Sequence, residues 1–557
     1  MNGTTEKLQS LLEGLSAKKR AFVVFALGAM AALSMAPLHW SPILFISFSG
    51  FFLIVNTALS SCDLRQRAKR AAGLGWCFGF GFFLAGLWWI GAAVLVEADQ
   101  FAWALPFAVA GLPAGLALFW ALAGCISALF WYNNLQKILA LTISFGLAEY
   151  ARGHVLTGFP WNAIGYGAMP SPVLMQSASV IGLWGVTLLT ILVVTMPGLL
   201  LISKTPGKTG IRPAFVLVIV TGLLSLHIGF GLWRLNGAEI IIKQTSETIL
   251  RLVQPNITQE EKWRQGNEDA VFQSYLDLTS APGLDKIDAV IWPESAFPFL
   301  ILQTPAALAR IDQVLPDQTL LLTGAVRAKP PERSFSDTPP KLKFFNSLLI
   351  FDDKAQRQQV YDKQRLVPFG EFMPFGDILE QWGITNLVNI PGGFADGSNG
   401  NLINFTQINS AHPTLPPASV LICYEAIFPS SFELSSSTHN NAAATESRAE
   451  WLLNITNDAW FGELAGPYQH FHQARLRAVE QGLPMARVAN TGISAMIDPY
   501  GRIVQKIGLG ETGIVDVALP KPLSSTRYSK SRDLTFAIFM ALYCSLLFAC
   551  TLIKRAD

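Results

Sequence analysis

The chain has 557 residues, of which 51% are hydrophobic and only 14% charged, against roughly 25% charged in an ordinary soluble protein. A string of soluble domains is excluded by that balance, and intrinsic disorder by the 15 Trp and 37 Phe. A formal net charge of +2 leaves no global basic surface, so nucleic acid is not an expected partner.

Eight apolar segments approach or exceed the about 20 residues that a helix needs to cross a bilayer. They lie near residues 21–37, 42–59, 72–96, 102–130, 136–150, 172–203, 213–233 and 534–553. The fourth and sixth are long enough to tilt or to hold a re-entrant turn, and both contain Gly and Pro, which membrane helices tolerate. With the N-terminus inside, the cytoplasmic segments carry 14 Lys or Arg and the short outer loops only Arg152. This asymmetry puts both termini in the cytoplasm and residues 234–532 on the outer face. Charge follows the same division. Residues 1–233 hold 13 basic and 6 acidic side chains and residues 533–557 two of each, leaving 26 basic and 31 acidic in 234–532. The expected organisation is a seven-helix membrane domain (1–233), an extracytoplasmic domain (234–532) and a last membrane helix (533–557).

Within 234–532, strand-length apolar runs fall at 248–254, 288–292, 319–326, 346–351, 418–423, 451–455 and 486–490. Helical patterns fall near 258–278, 305–314 and 468–482, and Asp498–Gly501 reads as a hairpin turn. Such alternation implies an α/β domain with helices packed on sheets. Residues 328–341 and the low-complexity stretch 435–449 read as inserted loops.

Of six cysteines, five lie in or beside membrane segments and only Cys423 lies in the outer domain, which excludes an internal disulfide framework there. A lone cysteine is ordinarily a small buried hydrophobe, but Cys423 ends the apolar run Val420, Leu421, Ile422. Two other runs end in reactive groups: Glu294 follows Trp292 and Pro293, and Lys363 follows Tyr361 and Asp362. Loops at strand ends form crevices in α/β folds. A thiol attacks a carbonyl as thiolate and needs a base, for which Glu294 is suited; the resulting oxyanion needs a donor, for which the Lys363 ammonium is suited. The expected product is a covalent acyl-thioenzyme.

These segments resemble the Glu-Lys-Cys signature of the nitrilase superfamily. Together with Gly158–Trp161 in the membrane part, Asn457–Gly462, Gln469, His470 and Asn490–Gly492, the chain resembles the membrane-bound branch of that superfamily that completes lipoprotein acylation at the bacterial inner membrane. The resemblance implies an αββα nitrilase-like sandwich inserted in a multispan helical protein, with Glu294 as general base, Lys363 as oxyanion stabiliser and Cys423 as nucleophile. It further implies that Glu371 is an additional active-site carboxylate, that Tyr424 and Glu425 flank the nucleophile, and that Trp263 and Trp460 contact substrate. The implied reaction moves an acyl chain from a phospholipid, typically phosphatidylethanolamine, through Cys423 to the α-amino group of an N-terminal S-diacylglyceryl cysteine, with no cofactor or metal. The alternative is a membrane-tethered amidase using water; a transporter or inactive scaffold is disfavoured by the intact Glu294, Lys363 and Cys423.

Two apolar stretches beside these residues, Phe297–Leu302 and Phe372–Trp382, are expected to dip into the lipid interface as lids, with Phe372 and Phe375 guiding the acyl chain. The pair His470 and His472 lacks a clear third ligand and is expected to be structural. Glu149 and Arg152 are expected either to pair with each other or to meet a lipid head group.

Overall fold

The computed structural model describes all residues except 1, 61, 203–212, 238–244, 330–341, 375–392, 399, 406–407, 409–414, 430–447 and 557. The chain divides into two compact units, one comprising Met1–Gly91, Trp103–Gly237 and Ser525–Asp557, the other Ala92–Ala102 and Ala238–Ser524.

The first unit is helical. Among the described residues, five helices are long and apolar enough to cross a membrane: Leu64–Leu95, Ala98–Ala128, Ala178–Leu201, Pro213–Asn236 and Leu534–Leu552. The other three expected spans are occupied by shorter or less apolar helices, Ala17–Ala31, Ile43–Leu59 and Asn134–Arg152. The sixth expected span contains a kink at Gly182, where φ is +63°. A Cβ there would lie 2.1 Å from the Tyr528 ring, so glycine is required both by the left-handed backbone and by the close approach. Glu149 and Arg152 pair with each other at 2.9 Å, both fully buried. Trp120 Nε1 donates to Glu149 at 2.8 Å and Arg152 donates to the Trp161 carbonyl at 2.9 Å. The ion pair thereby anchors the Gly158–Trp161 turn instead of meeting a head group.

The second unit holds two six-stranded sheets. In the first, the order is β12 (Gly513–Pro520), β1 (Thr245–Gln254), β2 (Ala289–Trp292), β3 (Leu320–Lys329), β4 (Lys343–Phe351), β5 (Arg357–Asp362). In the second, it is β11 (Ile503–Ile507), β10 (Ser494–Ile497), β9 (Met485–Ala489), β8 (Trp451–Thr456), β7 (Ala418–Ile422), β6 (Leu402–Ile403). Leu252, Ile291, Leu322 and Ile350 of one sheet meet Val420, Ile422, Leu453 and Val488 of the other in a single buried core. The opposite face of the first sheet is covered by α2 (Glu268–Thr279) and α3 (Pro305–Val314), and that of the second by α4 (Ala465–Gln481). This is the expected αββα sandwich. Its central strands β2, β7 and β8 are buried throughout, which is why they appear in the sequence as unbroken apolar runs.

The expected helix over 258–278 is instead two helices, α1 (Gln259–Trp263) and α2, because the chain turns extended at Arg264. Strands β5, β6 and β12 were not expected. The lid assigned to 297–302 is also corrected: Phe297 and Ile301 are fully buried beneath α2 and α3 with Phe272 and Trp292, so that stretch is core. The second lid is described only as far as residue 374, and Phe375 lies outside the described residues, as do most of the two inserted loops.

Candidate active site

Sheet polarity gathers the reactive residues. Strand β2 runs parallel to β3, and β5, reached through two antiparallel pairings, runs the same way. Glu294 and Lys363 therefore leave one edge of the first sheet. In the second sheet β7, β8 and β9 are mutually parallel, so Cys423, Asn457 and Asn490 leave one edge together. Local backbone then aims the side chains. Cys423 sits at φ +50° and Ser295 at φ +49°, left-handed turns that a non-glycine residue adopts only under tertiary constraint. Gly324 permits the turn after Glu294 to fold onto β3, since a Cβ there would come within 2.6 Å of Glu294 Cα.

Glu294, Lys363, Glu371 and Cys423 are all buried. Lys363 Nζ donates to Glu371 Oε1 at 2.9 Å and lies 3.5 Å from Glu294 Oε1. Asn346, on β4, donates through Nδ2 to both carboxylates, at 2.7 Å to Glu294 and 2.9 Å to Glu371. The remaining oxygens are held by backbone: Asn457 N–H donates to Glu294 Oε2 and Val367 N–H to Glu371 Oε2, each at 2.8 Å. Burial alone would lower the Lys363 pKa, but Glu371, Glu294 and Cys423 together hold it above the ordinary lysine value. Burial and Glu294 push the Cys423 thiol well above its usual range, with Lys363 opposing them. At neutral pH the pocket thus holds a neutral thiol beside a fixed ammonium.

Glu425 touches neither Glu294 nor Lys363 by hydrogen bond. Its carboxylate accepts from Ile422 N–H at 2.7 Å, from Gln364 and Arg365 N–H at 2.7 and 3.1 Å, and from the Tyr361 hydroxyl at 2.9 Å. It ties the end of β5 to the end of β7. Tyr424 is buried with its ring edge-on to Phe428. Trp460 follows Asn457 on a short turn and is half-buried, Phe372 is half-buried beside Glu371, and Trp263 is exposed at the end of α1.

Behind the nucleophile lies a cluster that sequence reasoning did not assemble. His470, on α4, has Nε2 3.2 Å from the Cys423 carbonyl and Nδ1 2.8 Å from Asp458 Oδ1; Arg487, on β9, donates to Asp458 Oδ2 at 2.7 Å. Burial and Arg487 keep the imidazole below the ordinary histidine pKa against the pull of Asp458. His470 is therefore a brace for the Cys423 turn. Asn346 was also missed, since an Asn-Ser pair inside the otherwise apolar Phe344–Phe351 carries no signal of its own.

Residues 249–528 match the family model for carbon-nitrogen hydrolases, which places the second unit in the nitrilase superfamily. Residues 27–196 match the model described as the apolipoprotein N-acyltransferase N-terminal domain. The chain is 42% identical to the apolipoprotein N-acyltransferase of Rhodopseudomonas palustris over 94% of each chain. It is 43% identical to that of Brucella suis over 91% of each, and 42% identical to that of Sinorhizobium fredii over 95% of this chain and 96% of the relative. It belongs to the apolipoprotein N-acyltransferase family and is an acyltransferase.

Proposed function

We propose that the protein transfers an acyl chain from a phospholipid, phosphatidylethanolamine being the expected donor, to the α-amino group of the N-terminal S-diacylglyceryl cysteine of an apolipoprotein, through a thioester on Cys423. The observation that carries this reading is that Cys423, Lys363 and Glu294 are all buried, with Lys363 held between two carboxylates and Glu294 tied through Asn457 N–H to the Cys423 edge of the second sheet. Glu294 takes the thiol proton as sulfur bonds to the ester carbonyl carbon, and Lys363 stabilises the oxyanion. Collapse breaks the ester C–O bond, and Glu294 returns the proton to the departing lysophospholipid oxygen. In the second half, Glu294 takes a proton from the attacking amine, the C–S bond breaks, and the proton goes back to sulfur. Glu371 and Asn346 orient Lys363 and Glu294; Tyr424 and Glu425 fix the nucleophile turn. Trp263, Trp460 and Phe372 border the path of the lipid substrates; Phe375, outside the described residues, is carried only as the sequence expectation.

The same reading sets residues 1–233 in the bacterial inner membrane as seven spans, 533–557 as an eighth, and 234–532 in the periplasm, on the strength of the basic-inside asymmetry. Placing the pocket at a lipid surface and burying it limits hydrolysis of the thioester.

The test is to incubate the full-length protein with acyl-labelled phosphatidylethanolamine and follow label on protein. A hydroxylamine-sensitive label that disappears in Cys423→Ala is expected. Label that persists in that variant, or free fatty acid released without any transfer to an amine acceptor, would replace the acyl-transfer mechanism by a hydrolytic or different one.

A further inference from the structure

The reaction as described uses one lysine, but a second is buried on α1, close enough to Glu294 to feel its charge. Lys262, on α1, is only 1% exposed. Its Nζ makes no hydrogen bond or ion pair with any described residue, and the Oε1 atom of Gln259, three residues earlier on the same helix face, is also buried without a partner among them. By contrast, the buried side chains of Glu294, Lys363, Glu371 and Glu425 all have hydrogen-bond partners. An ammonium carries three donors, and burying them unsatisfied is strongly unfavourable.

The placement of α1 is not loose. Thr258 and Glu261 form a reciprocal capping box at its start. The preceding turn is tied into the catalytic network: Asn256 N–H donates to the Asn490 carbonyl at 3.0 Å and Ile257 N–H to Asn490 Oδ1 at 3.2 Å. Asn490 Nδ2 in turn donates to Asn457 Oδ1 at 3.0 Å, and Asn457 N–H to Glu294 at 2.8 Å. Burial pushes the Lys262 amine down to about 8, and the negative charge of Glu294 pulls against that. The side chain therefore remains an ammonium at neutral pH, within the field of Glu294 but out of hydrogen-bond reach of it.

That offset decides what it binds. A donor directed at the reacting carbonyl would sit where Lys363 sits, in contact with the catalytic carboxylates. A donor displaced from them meets a group adjacent to the scissile ester, and in a glycerophospholipid the anionic group nearest the acyl ester is the phosphodiester. We propose that Lys262 binds the phosphodiester of the acyl donor, an inference that rests on the phospholipid reading above. The exposed Trp263 indole, whose ring centroid lies 5.8 Å from Nζ, borders the same approach.

The experiment compares wild type, Lys262→Met and Lys262→Arg as full-length proteins in mixed micelles, following acylation of Cys423. The donors are phosphatidylethanolamine and a neutral p-nitrophenyl ester of the same chain. For Lys262→Met the half-saturating phosphatidylethanolamine concentration is expected to rise at least about 10-fold, the scale of a lost charge-assisted hydrogen bond, with a smaller change in maximal rate. Acylation by the neutral ester should stay within about 2-fold of wild type, and Lys262→Arg should restore most of the phospholipid affinity. The melting temperature of Lys262→Met is expected to equal or exceed that of wild type. Unchanged phospholipid saturation, equal losses with both donors, or a lowered melting temperature would overturn the assignment. Failure of wild type itself to take label from phosphatidylethanolamine would instead remove the phospholipid reading.

Discussion

Asn346 shows how much one neutral side chain governs in a buried charged site. Its single amide group donates to Glu294 and Glu371 at once, and its backbone carbonyl accepts from Lys363 N–H at 2.8 Å. Hydrogen bonds to charged groups are worth about 1.5–3 kcal/mol each, so Asn346→Leu should lower the acylation rate of Cys423 by roughly 10- to 100-fold. Single-turnover labelling checks this; a rate within 2-fold of wild type would mean that backbone donors alone hold both carboxylates. Lys262 carries the opposite sign. Its folded pKa lies below its unfolded value of 10.5, so the folded state binds fewer protons there and stability rises with pH through that interval. The stability advantage of Lys262→Met should therefore be largest below about pH 8 and shrink toward pH 10.5. Neither residue was legible in the sequence. Asn346 sits in an apolar strand, and Lys262 stands in the run Gln259, Glu260, Glu261, Lys262, which has the look of a solvated face. Glu294 and Cys423 were legible because each follows a buried strand, whereas Lys363 follows the partly exposed β5 and stood out only through the resemblance of its segment.

At the level of elements, the polar brace behind Cys423 joins three of them: the turn after β8 through Asp458, α4 through His470, and β9 through Arg487. Burial works against the Asp458 carboxylate, yet Arg487 and His470 outweigh it and hold its pKa below the ordinary aspartate value. Arg487→Met would leave that carboxylate buried with His470 as its only remaining ion-pair partner among the described residues, and removing one partner of a buried pair costs about 3–5 kcal/mol. A clear fall in the melting temperature of the second unit, with loss of Cys423 acylation, is expected; a melting temperature equal to wild type would show that His470 alone suffices. This cluster is long-range, drawn from positions far apart in sequence, and no local pattern exposes it. The same limitation hid β5, whose residues Arg357, Gln358 and Gln359 lie at a sheet edge where polar side chains are tolerated. It did not hide β2, β7 or β8, whose burial on both faces shows as unbroken apolar runs.

Over the whole molecule, the small net charge conceals a basic segment 1–233 and a mildly acidic segment 234–532, and the proposed orientation rests on how the basic residues fall among the short loops. Lys506 lies exposed on edge strand β11, and Arg65 is exposed in the first unit. In cells with a permeabilised outer membrane, an impermeant thiol reagent should label Lys506→Cys above the wild-type background, and Arg65→Cys only once the inner membrane is opened. The reverse pattern would invert the topology. Inside the second unit, the Glu425 carboxylate has a consequence for selectivity. Because it fastens the lysine-bearing end of one sheet to the nucleophile-bearing end of the other, a bulky acyl chain cannot gain room by prising the sandwich apart at its mouth. Chain-length preference must then be written into the surrounding walls, which can diverge among relatives or be redesigned without retuning the nucleophile.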